Sequence, residues 1–178
     1  KLEEGTPLDE LVKQKKLIIP DEDIDYEMFK EVRDTLLKNG YFQYEISNFA
    51  QKTYECRHNL NYWDNGEYIG IGAGAHSMLN NSRYFNSDNI EEYLKKSGKI
   101  ARESGRITTS EAIFLGLRRS VGVDLDSFQK RYGVDLLHRY SREIQDLQKH
   151  GLIDLGKGNL RLSEKGIFLA NQVFLAFM

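Results

Sequence analysis

Between residues 105 and 178 the chain is punctuated by helix caps and stops at short intervals, which leaves few folds open to it. Thr108-Thr109-Ser110-Glu111 has the form of a capping box, in which Thr108 and Glu111 satisfy each other's end amides. The spacing predicts a helix from there to about Arg119. Asp124 caps a second helix, which Gly133 stops. Asp135 caps a third, with Leu136, Tyr140, Ile144 and Leu147 as its apolar stripe and Gly151 as its stop. Residues 152–155 and 159–162 read as strands around Gly156-Lys157-Gly158, and Ser163-Glu164 opens a closing apolar helix from Ile167 to Phe177. Three helices, a hairpin and a closing helix is the order of a winged-helix-like α+β domain.

Upstream the pattern is that of an α/β region. Thr6-Pro7-Leu8-Asp9 starts a short helix ending near Lys16. Asp21 or Asp23 opens a longer one, with Ile24, Met28, Val32 and Leu36 four apart and Asn39-Gly40 as its stop. Residues 41–46 read as a strand with Phe42, Tyr44 and Ile46 on one face. Residues 47–65 show no period and read as a long loop, a kind of connection that is usually functional. Residues 67–72 read as a short strand entering a glycine-rich turn, 83–85 as another strand and 89–96 as a small helix. The polar stretch 99–106 is taken as a boundary, giving expected domains of 1–100 and 105–178.

Charge supports two modules: residues 1–104 carry 14 basic and 19 acidic residues, residues 105–178 carry 11 and 8. The net charge of −2 is no footprint for nucleic acid. A single cysteine, Cys56, allows no internal disulfide and suits a reducing, cytoplasmic setting. The longest apolar run falls far short of the ~20 residues of a membrane span, and the opening Lys1-Leu2-Glu3-Glu4 has no signal-peptide core. An opening without Met leads us to expect a piece of a longer chain.

The densest chemistry is Cys56-Arg57-His58-Asn59-Leu60-Asn61-Tyr62-Trp63, which holds the only Cys, the only Trp and one of four His. Imidazole and thiolate both bind iron, and flat rings such as Tyr62 and Trp63 wall planar ligands. The same residues also suit a loop anchored to a core. Cys56, His58 and His76 fall short of the four ligands of a structural zinc site. In Gly70-Ile71-Gly72-Ala73-Gly74-Ala75-His76-Ser77 the glycines allow close backbone approach, and free amides there can cradle an anion; a tightly packed strand end explains them equally well. Glu45 reads as a surface or ion-pair carboxylate, and His150 as a cation at a helix C-terminus. The third helix of the second domain would be the recognition helix of a DNA-binding winged helix, but Arg139, Arg142 and Lys149 alternate with Glu143 and Asp146.

Three strings together carry a resemblance: residues 40–50 (GYFQYEISNFA), 57–63 (RHNLNYW) and 68–77 (YIGIGAGAHS). Glu4-Gly5-Thr6-Pro7-Leu8, Ile19-Pro20-Asp21-Glu22, Gly116-Leu117-Arg118 and Leu162-Ser163-Glu164-Lys165-Gly166 add to it. The chain resembles the radical SAM family of oxygen-independent coproporphyrinogen III oxidase-like proteins, and within it the haem-chaperone (HemW) type. The resemblance implies the closing portion of a TIM-like radical SAM barrel followed by the family's C-terminal domain. It implies haem binding at the HNxxYW motif, with His58 as iron ligand and Tyr62 and Trp63 beside it, and S-adenosylmethionine near Gly72, Gly74 and Ala75. The family's three cluster cysteines have no counterpart here, so a 4Fe–4S cluster belongs to a full-length parent. Expected partners are haem or a porphyrin and a haem-acceptor protein. Decarboxylation of coproporphyrinogen III is the alternative activity, and a DNA-binding regulator the alternative of another class. A partial barrel would leave a bare sheet edge, so self-association is also expected.

Overall fold

The structure is a computed structural model that describes residues 2–95 and 103–178, with backbone alone at 103, 104 and 106. The expected end of the small helix at Ser97-Gly98 and residues 99–102 of the expected boundary stretch lie outside the described residues. The chain divides into two compact units, residues 1–39 and 40–178, so the expected boundary near 100 falls within the larger unit.

The first unit holds two helices, α1 (Pro7–Lys13) and α2 (Glu22–Lys38). Thr6 caps α1 by accepting from the Asp9 amide, and Asp21 caps α2 by accepting from Ile24. Asp9 is buried, accepts from the Gly5 amide at 2.9 Å and pairs with Lys13 at 2.7 Å. These contacts, the Lys13 hydrogen bond first, hold its carboxyl below the ordinary carboxylate range. Along α2, Ile24, Met28 and Val32 form the expected stripe, and each is more than half exposed.

The second unit begins with a minimal hairpin, β1 (Phe42–Gln43) and β2 (Phe49–Ala50), rather than a strand over 41–46. Residues 44–46 leave the hairpin because their backbone pairs elsewhere. Ser120 donates to the Tyr44 carbonyl at 3.1 Å, and Ile46 donates to the Arg118 carbonyl at 3.0 Å. The expected loop 47–65 contains β2 and a helix, α3 (Arg57–Trp63). Next come the antiparallel strands β3 (His76–Leu79) and β4 (Ser82–Phe85), then α4 (Ile90–Lys95) and β5 (Glu103–Arg106). β5 pairs with β4, so residues 103–106 complete a three-stranded sheet where a linker was expected. The expected strand 67–72 is reduced to one bridge, Tyr68 to Met78, and Ile69 and Ile71 are solvent-exposed. All strand pairs among the described residues are antiparallel.

From residue 108 the expected order appears nearly intact. α5 (Thr109–Leu117) is followed by β6 (Val123–Asp124), α6 (Leu125–Tyr132), α7 (Leu136–Arg139) and α8 (Ser141–Lys149). The hairpin β7 (Ile153–Gly156) and β8 (Asn159–Leu162) then leads into α9 (Glu164–Phe168) and α10 (Ala170–Leu175). β8 lies between β6 and β7. The expected third helix is two, broken at Tyr140, and the closing helix is two, broken at Leu169. Only half of the capping box forms. Thr108 accepts from the Glu111 amide, but the Glu111 carboxylate pairs with Arg83 of β4. A tertiary ion pair has displaced the local contact.

One cluster holds this region together, including Ile113, Leu117, Leu136, Ile144, Leu160, Val173, Phe174 and Phe177. Leu117, Ile113, Leu160 and Val173 are fully buried. Gly122 makes the turn into β6 at φ +74°, where a Cβ would lie 2.1 Å from the Leu160 carbonyl oxygen, so no other residue fits.

Candidate functional site

Helix α3 exists because of its ends. Its last turn closes in a Schellman motif: Gly66 donates to the Asn61 carbonyl at 2.8 Å and Asn65 to Tyr62 at 3.1 Å. Asn65 takes the left-handed φ of +52° that the motif needs. A Cβ on Gly66 would sit 2.1 Å from Asn61 Oδ1, so any other residue there would displace the Asn61 side chain. The pair Asn65-Gly66 was therefore a legible stop signal. Apolar periodicity missed the helix because seven residues with two aromatic rings show too few turns for a period.

Helical spacing puts His58 and Tyr62 on one face. His58 is exposed, and its ring meets Tyr62 edge-on at 4.7 Å between centroids. Tyr62 in turn meets Tyr68 edge-on at 4.4 Å. Burial pushes the Tyr68 hydroxyl above its ordinary pKa, with the neighbouring Tyr62 adding to the effect. The three rings form a row that starts at solvent with an imidazole and ends against Met78. A cavity of about 260 Å³ lies behind the row, lined in part by Tyr62, Trp63, Tyr68 and Met78. That is below the ~300–1,000 Å³ of a small-molecule pocket, so the row offers a ligand a face and not an enclosure.

Trp63 points away from that face. Its ring lies under the Arg118 guanidinium at 4.3 Å, and its indole nitrogen is buried without a hydrogen-bond partner among the described residues. The structure thus brings His58 and Tyr62 together and assigns Trp63 to the junction with α5. Cys56 is exposed at the N-cap of α3, where its side chain makes no capping bond. Among the described residues no group of three or more His, Cys, Asp or Glu could hold a metal ion.

The glycine segment is occupied by its own chain. Gly72 donates to the Tyr93 hydroxyl at 3.1 Å, Gly74 to the Ser87 carbonyl at 2.9 Å and Ala75 to Gly72 at 3.3 Å. Asn86 donates to the carbonyls of Gly70 and Gly72. The amides of Gly72, Gly74 and Ala75 are engaged within the chain, which favours the packed strand end of the two readings. At Gly70 a Cβ would meet the His76 carbonyl at 2.0 Å, which accounts for the glycine by packing.

Of the two readings open to Glu45, surface or ion pair, the structure has the ion pair, with the carboxylate fully buried. One oxygen accepts from the Ser47 amide at 2.8 Å and from Asn48 at 2.6 Å, and the other lies 3.5 Å from the Arg118 guanidinium. On α8, Arg142 and Lys149 are exposed beside Gln145 and Asp146, a face of both signs that suits solvent better than a phosphate backbone. No helix among the described residues is long and apolar enough to cross a membrane.

Residues 108–169 match the model of the HemN C-terminal domain. The chain is 35% identical over 167 residues to heme chaperone HemW of Lactococcus lactis, covering 91% of this chain and 44% of that one. It is also 35% identical over 175 residues to heme chaperone HemW of Bacillus subtilis, covering 94% and 46%. The chain thus spans less than half the length of these relatives. In fold it is similar to coproporphyrinogen III oxidase (HemN) of Escherichia coli, a radical SAM enzyme, with a TM-score of 0.66 at 16% identity over 97% of this chain and 45% of that one. The domain at 108–169, the half-length match in sequence to two haem chaperones and the matching fold agree: the chain carries a HemN C-terminal domain and is homologous to part of HemW.

Proposed function

We propose that the chain takes part in binding haem and passing it to an acceptor protein, as part of a HemW-like protein. The observation that carries this reading is the exposed imidazole of His58, set edge-on to Tyr62 on a short, firmly stopped helix. His58 would give a ring nitrogen to the iron, and Tyr62 would pack against the porphyrin plane. An open face suits a cargo that must leave again, because an enclosing pocket slows release. Trp63 would act from behind the helix, without touching the porphyrin. Haem supplies the iron and the planar ring; this chain's residues bind and orient it.

The remaining roles belong to a longer protein of this family. There the region up to about residue 100 would serve as the closing part of a TIM-like radical SAM barrel, with the winged-helix-like region of 105–178 packed beyond it. S-adenosylmethionine would pass the open side of Gly72, next to Gly74 and Ala75. A 4Fe–4S cluster needs thiolates that this chain, with Cys56 alone, does not supply, so no radical step is assigned to it. We place this work in the cytoplasm.

Haemin titration followed at the Soret band tests the reading. The wild-type chain should shift the band, and His58→Ala should remove the shift without altering the thermal melt, since an exposed side chain carries little stability. Equal titrations of both proteins would dismiss His58 as the ligand.

A further inference from the structure

Six buried polar side chains lie along one seam: Glu45, Trp63, Arg118 and Arg119 each have an atom without a hydrogen-bond partner among the described residues, and the side chains of Asn65 and Tyr132 interact with each other. Native interiors satisfy nearly all such groups, so their concentration in one place asks for a reason. The seam is where the 108–178 region meets the end of α3, and three arginines cross it. Arg118 stacks on Trp63 at 4.3 Å. Arg119 pairs with the Asp64 carboxylate. Arg131 donates to the carbonyls of Asp64 and Asn65, both at 2.8 Å. Those carbonyls follow the last turn of α3, where the helix dipole is negative and a cation is favoured.

Arg118 is the residue among them with a dedicated anchor. Glu45 is fully buried, and a buried carboxylate is costly unless paired. Two donors hold its other oxygen, so this oxygen is left facing the guanidinium at 3.5 Å. The backbone repeats the link, since Ile46 donates to the Arg118 carbonyl and Ser120 to that of Tyr44. A guanidinium placed over an indole while facing a carboxylate restricts both ring and helix, and the ammonium of lysine, a point charge without the planar group, cannot reproduce both contacts.

We propose that Arg118, anchored by Glu45, is a positioning residue: by stacking on Trp63 it fixes the orientation of α3, and hence the direction in which His58 and Tyr62 face their ligand. The functional half of this statement rests on the haem reading; the mechanical half does not. The 108–178 region then acts as a handle on the binding helix, and a partner that draws on Arg118 would loosen the grip on haem.

Trp63 is the only tryptophan, so fluorescence excited at the red edge of the absorption band, where the ten tyrosines do not absorb, reports on this position alone. Arg118→Leu, Arg118→Lys and Glu45→Gln are compared with wild type by acrylamide quenching of Trp63, by haemin titration and by circular dichroism. Arg118→Leu should raise the quenching constant and weaken haemin binding by about fivefold, the factor carried by one half-buried cation–π contact. Arg118→Lys should fall between the two, and Glu45→Gln should raise quenching without changing helix content. These conservative variants decide the matter if Arg118→Leu does not fold. Unchanged quenching in folded Arg118→Leu, or in both conservative variants, would overturn the proposal, as would changed quenching with haemin affinity untouched. Absence of haemin binding in the wild type would instead strike the haem reading, and the quenching series would still judge the clamp.

Discussion

Residues 108–178 and residues 40–95 lie in one compact unit but are held by different forces. The first has a shared apolar core, from Ile113 and Leu117 through Leu160 to Phe177. In the second, Ala50 and Met78 are the buried apolar residues among those described. Shape there comes from directed polar contacts: Asn86 on two glycine carbonyls, Ser77 accepting from Gly70, and Glu45 in its turn. A core tolerates little change in volume, whereas a polar scaffold leaves faces open. The proposed binding face sits on the scaffold, and the 108–178 region reaches it through Arg118, Arg119 and Arg131 and through Met78, which joins the apolar cluster.

The contrast can be broken most sharply at Leu117, whose side chain is fully buried. Leu117→Ala should cost about 2–5 kcal/mol in denaturant unfolding. A smaller loss would mean that the core can collapse around the gap. Next is Thr108→Ala, which removes a cap from α5 and should cost about 1 kcal/mol; a near-zero loss would show that the Glu111–Arg83 pair alone fixes that helix start. Asp124 tests the same region through pH. The Ser127 hydroxyl and amide hold its carboxyl below the usual range. Its contribution is therefore complete above the unfolded value near 3.9 and is lost as pH falls through the lower folded value. Asp124→Asn should flatten stability against pH in that acid window, and an unchanged slope would remove Asp124 from it. The smallest effect belongs to the scaffold: Ile71, 87% exposed, should cost under about 0.5 kcal/mol as alanine in the same unfolding assay. A larger loss there would mean that the glycine segment is covered in solution.

How far the sequence could be read follows the same divide. Asp124, Gly133, Asp135, Gly151 and Ser163 all do what their types suggest, because caps and stops act within four residues. His58 and Tyr62 share a helix face, as their spacing of four allows. The strand over 41–46 failed because residues 44–46 pair with residues 118–120, a contact that no local pattern announces. The burial of Glu45 was illegible for the same reason, although its pairing with Arg118 was one of the two readings open to it. A carboxylate looks like surface until the chain that buries it is known.

The sequence by itself determined most of the element order of 108–178, because short-range sterics and hydrogen bonding write caps and stops into neighbouring residues. Only the tertiary structure decided that Trp63 turns inward to Arg118 while His58 stays in solvent, that Glu111 leaves its capping box for Arg83, and that the glycine amides are already spent. Each of those outcomes depends on a partner far along the chain, and the closure of such contacts depends on the packing of the whole unit.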